Sequence, residues 1–228
     1  MTATYAGLAL SMLATLLLEV VDSRLLSVVT WYHLSFVAIS VAMLGAATGA
    51  VAVFAAPERF PPQHARRDLA RWSGRFAIVL PLSHLLSLVI PMPGGQQWTA
   101  MDVVVLALSL AVIAAPFALG GVVTTLALTR TPAPVARLYA ADLLGAASGC
   151  VVAVLLLSWT TLSTAALVAG TSAAAGALCF RRAAGLGRGA LVPGVLVATL
   201  GAAAVNAGPE PIRVLYPKNR DAWTLPVL

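Results

Sequence analysis

The chain has 228 residues, of which 60% are hydrophobic and only 10% charged, with a mean hydropathy of +0.94. A water-soluble domain carries about 25% charged residues, so this composition cannot dress a surface for water and excludes an ordinary cytosolic globule. The net charge of +6 does not point to nucleic acid, because most of the basic residues fall in two short segments between apolar runs, where they act as topology signals.

Apolar runs of about 18 residues or more recur along the sequence, which is the pattern of membrane-spanning helices. Continuous Ala/Leu/Val stretches argue against the short alternating segments of a membrane β-barrel. The expected fold is therefore all-α: a polytopic membrane bundle of about seven helices, with the lipid bilayer as its first partner.

The first span is predicted over residues 5–21, followed by Asp22, Ser23 and Arg24. No basic segment precedes it and it contains Glu19, so it reads as a retained span rather than a cleaved signal. Residues 25–30 either continue it or lie at the membrane interface. Trp31, Tyr32 and His33 form an aromatic belt before a second span at 34–55. Residues 57–75 read as a polar loop that sets Arg59, Arg66, Arg67, Arg71 and Arg75 against Glu58 and Asp68. Span three, 76–90, is short and broken by Pro81. A turn over 91–99 leads to span four at 101–128, which Asp102 opens and which holds Pro116. A second turn, 129–134, precedes span five at 135–157. Trp159 and Thr160 mark a reversal into span six at 162–180. A basic loop at 181–189 carries Arg181, Arg182 and Arg188, and span seven follows at 190–205. Residues 1–207 thus form a transmembrane domain and 208–228 an extended polar tail.

The arginine-rich loops follow spans two, four and six, and the opposite-side loops at 91–99 and 158–161 hold no basic residue. Positive loops stay in the cytoplasm, which places the N-terminus there and assigns the chain to the inner (plasma) membrane. Seven crossings put the tail on the opposite side. If the short seventh span did not cross, the tail would be cytoplasmic.

One phrase is written twice: residues 44–49 read LGAATG and residues 144–149 read LGAASG. Lipid tails are as apolar as leucine, so membrane helices associate where small residues four apart let their backbones approach. Gly45/Gly49 and Gly145/Gly149 are such pairs and read as helix-packing faces. Their occurrence three spans apart points to two related three-helix units plus one further helix, a repeat of the kind found in transporters.

Charged and polar residues within the spans are the candidate site. A charge at the bilayer centre costs about 2.5–3.5 kcal/mol on insertion scales, so such residues face a partner or a wet cavity. Glu19, Arg24 and Asp142 either line a polar pocket between the units or pair as an ion-pair latch, Glu19 with Arg24. Asp22 reads as an interfacial charge and His84 as a candidate that a satisfied core histidine would equally explain. Cys150 and Cys179 read as small buried hydrophobes. No phosphate-binding loop, hydrolase elbow or metal-ligand cluster is present, so no cofactor, metal or catalytic residue is assigned. GLGRG at 185–189 follows no strand and reads as a turn.

Five stretches together carry a resemblance: LLLEVVDSRLLSVV, AISVAMLGAATGAV, PFALGGVVTTLALTR, RLYAADLLGAASGCVVAVLLL and PIRVLYPKNR. They resemble the membrane region of bacterial spermidine-synthase-like membrane proteins, in which a transporter-like helical domain is fused to an aminopropyltransferase-like domain. The resemblance implies that the segment like RVLYPKNR leads into a soluble nucleotide-binding domain. This sequence ends at Leu228, before such a domain could form, so no catalytic residue carries over. Two functions follow as expectations. One is a helical scaffold or subunit that serves a soluble partner chain or a second copy of itself. The other is a transporter-like module for a small cationic metabolite. An enzyme in its own right has least support in the residues.

Overall fold

The computed structural model describes residues 1–29, 35–90, 99–187, 189–208, 211, 212 and 214. Among them there are seven α-helices and no strand: α1 Thr2–Val29, α2 Ser35–Ala55, α3 Ala65–Val89, α4 Ala100–Arg130, α5 Val135–Trp159, α6 Leu162–Ala183 and α7 Leu191–Asn206. Six of these are long and apolar enough to cross a membrane, and α7 is shorter, at 16 residues. The expected aromatic belt at Trp31–His33 and most of the turn over 91–99 lie outside the described residues.

Two expected boundaries are corrected. Residues 57–75 are not a loop: 3-10 turns at Pro57–Arg59 and Pro62–His64 lead directly into α3. Composition hid an amphipathic period there. Ala65, Leu69, Ala70 and Ser73 are buried, while Arg66, Arg67, Arg71 and Arg75 point outward. Nor does the polar cluster after Val21 end α1, which runs on to Val29, with Ser27 Oγ donating back to the Arg24 carbonyl at 2.7 Å. Pro81 and Pro116 sit inside α3 and α4 without ending either. The start of α4 is held by a reciprocal cap. The Thr99 N–H donates to Asp102 Oδ2 at 2.8 Å, and the Asp102 N–H donates to Thr99 Oγ1 at 3.3 Å.

Helices α1, α6, α3 and α4 form an inner ring, in which each packs on its two neighbours. The other three sit outside it, α2 on α4, α5 on α1 and α7 on α6. Their directions follow from specific contacts. Gly7 abuts Phe180 and Gly176 abuts Ser11, so α1 and α6 are antiparallel. Gly120 meets both Thr15 and Phe76, Met12 Sδ accepts from Thr124 Oγ1, and Ser83 Oγ donates to the Val112 carbonyl at 2.6 Å. Both α1 and α3 are therefore antiparallel to α4 and parallel to each other.

One end of the bundle is basic, carrying Arg66, Arg67, Arg71, Arg130, Arg181 and Arg182, and α1 begins there. The tail starts at the other end. Gly74 lies near Val192 at the beginning of α7, whereas Asn206 at its end is fully buried. Asn206 Nδ2 donates to Thr161 Oγ1 at 3.1 Å and Thr164 Oγ1 at 3.0 Å, and its Oδ1 accepts from the Ile212 N–H at 2.7 Å. Ile212 and Val214 then pack against Leu25, Val29 and Leu88 at the far ends of α1 and α3.

The distribution of side chains is inverted relative to a water-soluble bundle. Alanines at 165, 166, 169, 173, 174 and 177 fill the α6 core, while Phe36, Met43, Val51, Phe54, Val151 and Val154 point outward. The most apolar stretch of α5 is only 17% buried. Burial cannot explain that much hydrophobic surface, which needs an apolar surrounding.

Candidate functional site

The repeated phrase adopts the same local structure both times. Leu44 and Leu144 are 66% and 68% exposed, while both glycines of each pair are buried. Thr48 Oγ1 and Ser148 Oγ each donate to the carbonyl four residues back, both at 2.7 Å. A Cβ on Gly45 would lie 2.7 Å from the Ala114 carbonyl oxygen, and one on Gly49 would collide with that of Ala118. On the other side of the molecule, a Cβ on Gly145 would collide with the Ala9 carbonyl, and one on Gly149 would lie 2.7 Å from that of Leu13. Both close contacts are thus between parallel helices, α2 on α4 and α5 on α1. The same offset separates Ala9 from Ala114 and Leu13 from Ala118. Gly121 closes the α2–α4 contact from the other face, against Ala46. The sequence reading did not single it out, although the Gly–Gly in its stretch marks it.

The four candidate residues are not gathered at one place. Asp142 lies one turn before Gly145, beside the first turns of α1, and its Oδ1 is buried without a hydrogen-bond partner. Glu19 is ten residues beyond Ala9 on α1, so about 20 Å of helix axis separates its level from that of Asp142. A pocket shared by Glu19, Arg24 and Asp142 is therefore not formed. The latch is not formed either: among the described residues no ion pair joins Glu19 to Arg24. The helix explains this, because residues five apart point in different directions. Arg24 is exposed and lines a groove of about 500 Å³ between α1 and α5, with Ser27, Ser158 and Thr160.

Two other ionisable residues are buried inside the ring. Asp22, which the sequence reading left at the interface, is only 3% exposed. It extends the α1 stripe Ser11–Thr15–Leu18, which runs along the seam between α6 and α4. His84 is 1% exposed and extends the α3 stripe Ala77–Leu80, between the Ser83 side that touches α4 and the Pro81 side that touches Gly170 of α6. Each residue thus faces across the diagonal of the ring.

Their depths agree as well. Gly120 fixes Thr15 and Phe76 at one level. Asp22 lies seven residues beyond Thr15 and His84 eight beyond Phe76, rises of about 10.5 Å and about 12 Å in the same direction. One turn further out, Leu25, Val29 and Leu88 meet and close the ring.

Both ring nitrogens of His84 are buried without a hydrogen-bond partner. Leaving such a group unpaired costs about 1–3 kcal/mol. The neighbouring hydroxyls do not relieve it, since Ser83 donates to the Val112 carbonyl, Ser87 to the His84 carbonyl and Ser109 to the Val105 carbonyl. An imidazole with unused hydrogen-bonding capacity, together with an acid buried in the same ring, can hold a proton, a water or a small cation. Spacing from Ser11 by helical steps was the sequence signal for Asp22, obscured by Arg24 two residues on.

The cysteines also need correction. Cys150 is exposed and Cys179 half-buried, because Gly149 takes the α1-facing position and turns its neighbour outward. GLGRG contains positive-φ turns at Gly185 (68°) and Gly189 (46°). Among the described residues there is no cluster of metal-ligating side chains. No family model, curated protein or solved structure matches the chain.

Proposed function

We propose that the chain is a multi-pass protein of the inner membrane, built from two inverted three-helix repeats, and acts as a transporter-like module for a small cationic solute. The observation that carries this reading is reciprocal packing. The second helix of each unit lies on the first helix of the other through its doubled-glycine phrase, with one residue offset serving both contacts. With three helices per unit the two run in opposite senses, the inverted-topology arrangement of many carriers. The exposed leucines, valines and phenylalanines support immersion in lipid, and the single basic end supports a cytoplasmic N-terminus. A buried carboxyl inside the ring supports a cationic solute, since an intramembrane acid marks an ion or substrate path.

Reconstitution into proteoliposomes tests the reading, with a panel of labelled organic amines and alkali cations assayed for counterflow. Uptake of at least one, abolished in Asp22→Asn with the fold intact, is the expected result. No uptake of any member, or uptake indifferent to Asp22→Asn, removes the transport reading. A second reading, a scaffold for a soluble partner chain of the spermidine-synthase-like kind, is favoured by the fixed root of the tail at Asn206 and Ile212. It predicts that a partner co-purifies through the tail and that Asp22→Asn is without effect.

A further inference from the structure

We propose that the groove between α1 and α5 is a binding site for an anionic glycerophospholipid, with Arg24 holding the phosphate and the headgroup hydroxyls set on the oxygens around it. The site is independent of the transport reading and rests only on the chain lying in a membrane.

Arg24 is out of place by the rule that orders the other arginines. The packing offset that sets Ala9 against Gly145 and Leu13 against Gly149 carries Arg24 to Thr160, where α5 ends. Arg24 therefore stands at the end of the bundle away from the basic one, and among the described residues it is the only basic side chain there. It lies twenty residues beyond Thr4 on α1, about 30 Å of helix axis, which is the thickness of a bilayer's hydrocarbon core. That distance puts it level with the headgroups. Trp159, which sits between two lining residues and is 83% exposed, suits the same layer.

The groove, of about 500 Å³, has two zones. Val20, Val154 and Leu157 wall the part nearer the bundle centre, and Arg24, Ser27, Ser158 and Thr160 the part nearer the end. No acid lines it, since Asp22 is turned into the ring, and among the described residues no ion pair or hydrogen bond takes up the Arg24 guanidinium. A guanidinium offers its N–H donors in a fork that matches two oxygens of a phosphate. The Ser27, Ser158 and Thr160 hydroxyls give their protons to the carbonyls of Arg24, Val154 and Leu156, at 2.7, 2.8 and 2.7 Å. What they can offer a ligand is oxygen lone pairs, which accept from the hydroxyls of a glycerol headgroup and gain nothing from a trimethylammonium, which has no donor. Thr161 and Leu162 continue the wall into the start of α6, whose dipole adds to the positive field. A free phosphate ester would use Arg24 alike but leave the Val20–Val154–Leu157 zone empty, whereas an acyl chain fills it.

The full chain in phosphatidylcholine vesicles, doped with a phosphatidylglycerol carrying a diazirine on one acyl chain, tests the site. After irradiation, the crosslinked residues are mapped by mass spectrometry. Crosslinks are expected at Val20 and over Val154–Leu157, falling roughly fivefold in Arg24→Gln and less in Arg24→Lys. A phosphatidylcholine with the same diazirine should mark the outer faces of α2 and α5 without favouring the groove. Equal labelling of the groove by both lipids, or labelling unchanged in Arg24→Gln, overturns the site. If Arg24→Gln does not fold, the comparison of the two lipids on the wild type decides. Excess glycerol phosphate distinguishes the sources: displacement of the label would assign the groove to a soluble phosphate ester and overturn the lipid. Marked outer faces with an unmarked groove would keep the membrane reading and sink the site. No labelling of any helix would sink both.

Discussion

Replacing Gly49 by alanine adds one methyl group, and the structure says where it goes. The new Cβ would point into the Ala118 carbonyl and lie 2.8 Å from the Val122 nitrogen, both backbone atoms of α4. Rotamer changes cannot relieve such a clash, so α2 must move away from α4. At Gly45 the shortest approach is 2.7 Å, and ordinary contact begins near 3.4 Å, so the helices there would separate by about 0.7 Å. Overpacking of this kind costs about 1–3 kcal/mol. The control is Gly201 on α7, where a Cβ would meet nothing within 4 Å. Gly201→Ala should be neutral or stabilising by up to about 1 kcal/mol, from helix propensity alone. Reversible unfolding in mixed micelles by increasing SDS measures both. A loss of about 2 kcal/mol appears as a roughly 30-fold change in the unfolding constant. Gly149→Ala should behave like Gly49→Ala, because the two phrases do the same work on opposite sides. Equal midpoints for Gly49→Ala and Gly201→Ala would refute the claim that these glycines are kept for close approach.

Two further outcomes follow from single contacts. Asn206→Ala removes two donated hydrogen bonds and the acceptor for the Ile212 N–H, and should cost about 1.5–3 kcal/mol while making the chain after Gly208 far more sensitive to protease; unchanged cleavage would show that Asn206 does not hold the tail. A nitroxide on Cys150, with Cys179→Ala, should be relaxed strongly by oxygen and weakly by a water-soluble nickel chelate, as expected of an exposed residue on an apolar helix face. The opposite ranking would place that face in water and remove the membrane reading.

The helices were legible because hydropathy marks a long apolar run irrespective of its neighbours. Their ends were less so. The start of α3 reads as a loop because four arginines dominate its composition, although Leu69 and Ser73 keep the helical period. Partnering was the least legible. Glu19 and Arg24 are close in sequence yet point different ways around α1, whereas Asp22 and His84 are far apart in sequence and come to a similar depth inside the bundle only through the ring. The sequence lists charges, but it does not say which of them face inward. Cys150 misleads for the same reason: a residue in an apolar run is buried in protein or exposed on the outer face according to one step of 100° around the helix.

If the two units are an inverted repeat, their chemistry is lopsided in an informative way. The offset that carries Ala9 onto Ala114 carries Asp22 onto Ala127, a fully buried residue among Leu8, Val123, Leu126 and Phe180 at the basic end. The far half of the ring therefore holds an acid, an imidazole and several hydroxyls, while the equivalent near half is packed with hydrocarbon. A cation at Asp22 would be one turn from the apolar closure at Leu25, Val29 and Leu88, and separated from the basic end by the whole Leu8–Phe180 layer. The arrangement has the form of a closed state with its site nearer the far side. Release toward the basic end would require α1 and α6 to part along the Gly7–Gly176 contact, where a Cβ on either glycine would meet backbone oxygen near 3 Å. Small residues at that seam let the helices pack closely, and the Phe180 ring is seated against Gly7, so parting the helices there must also unseat that ring.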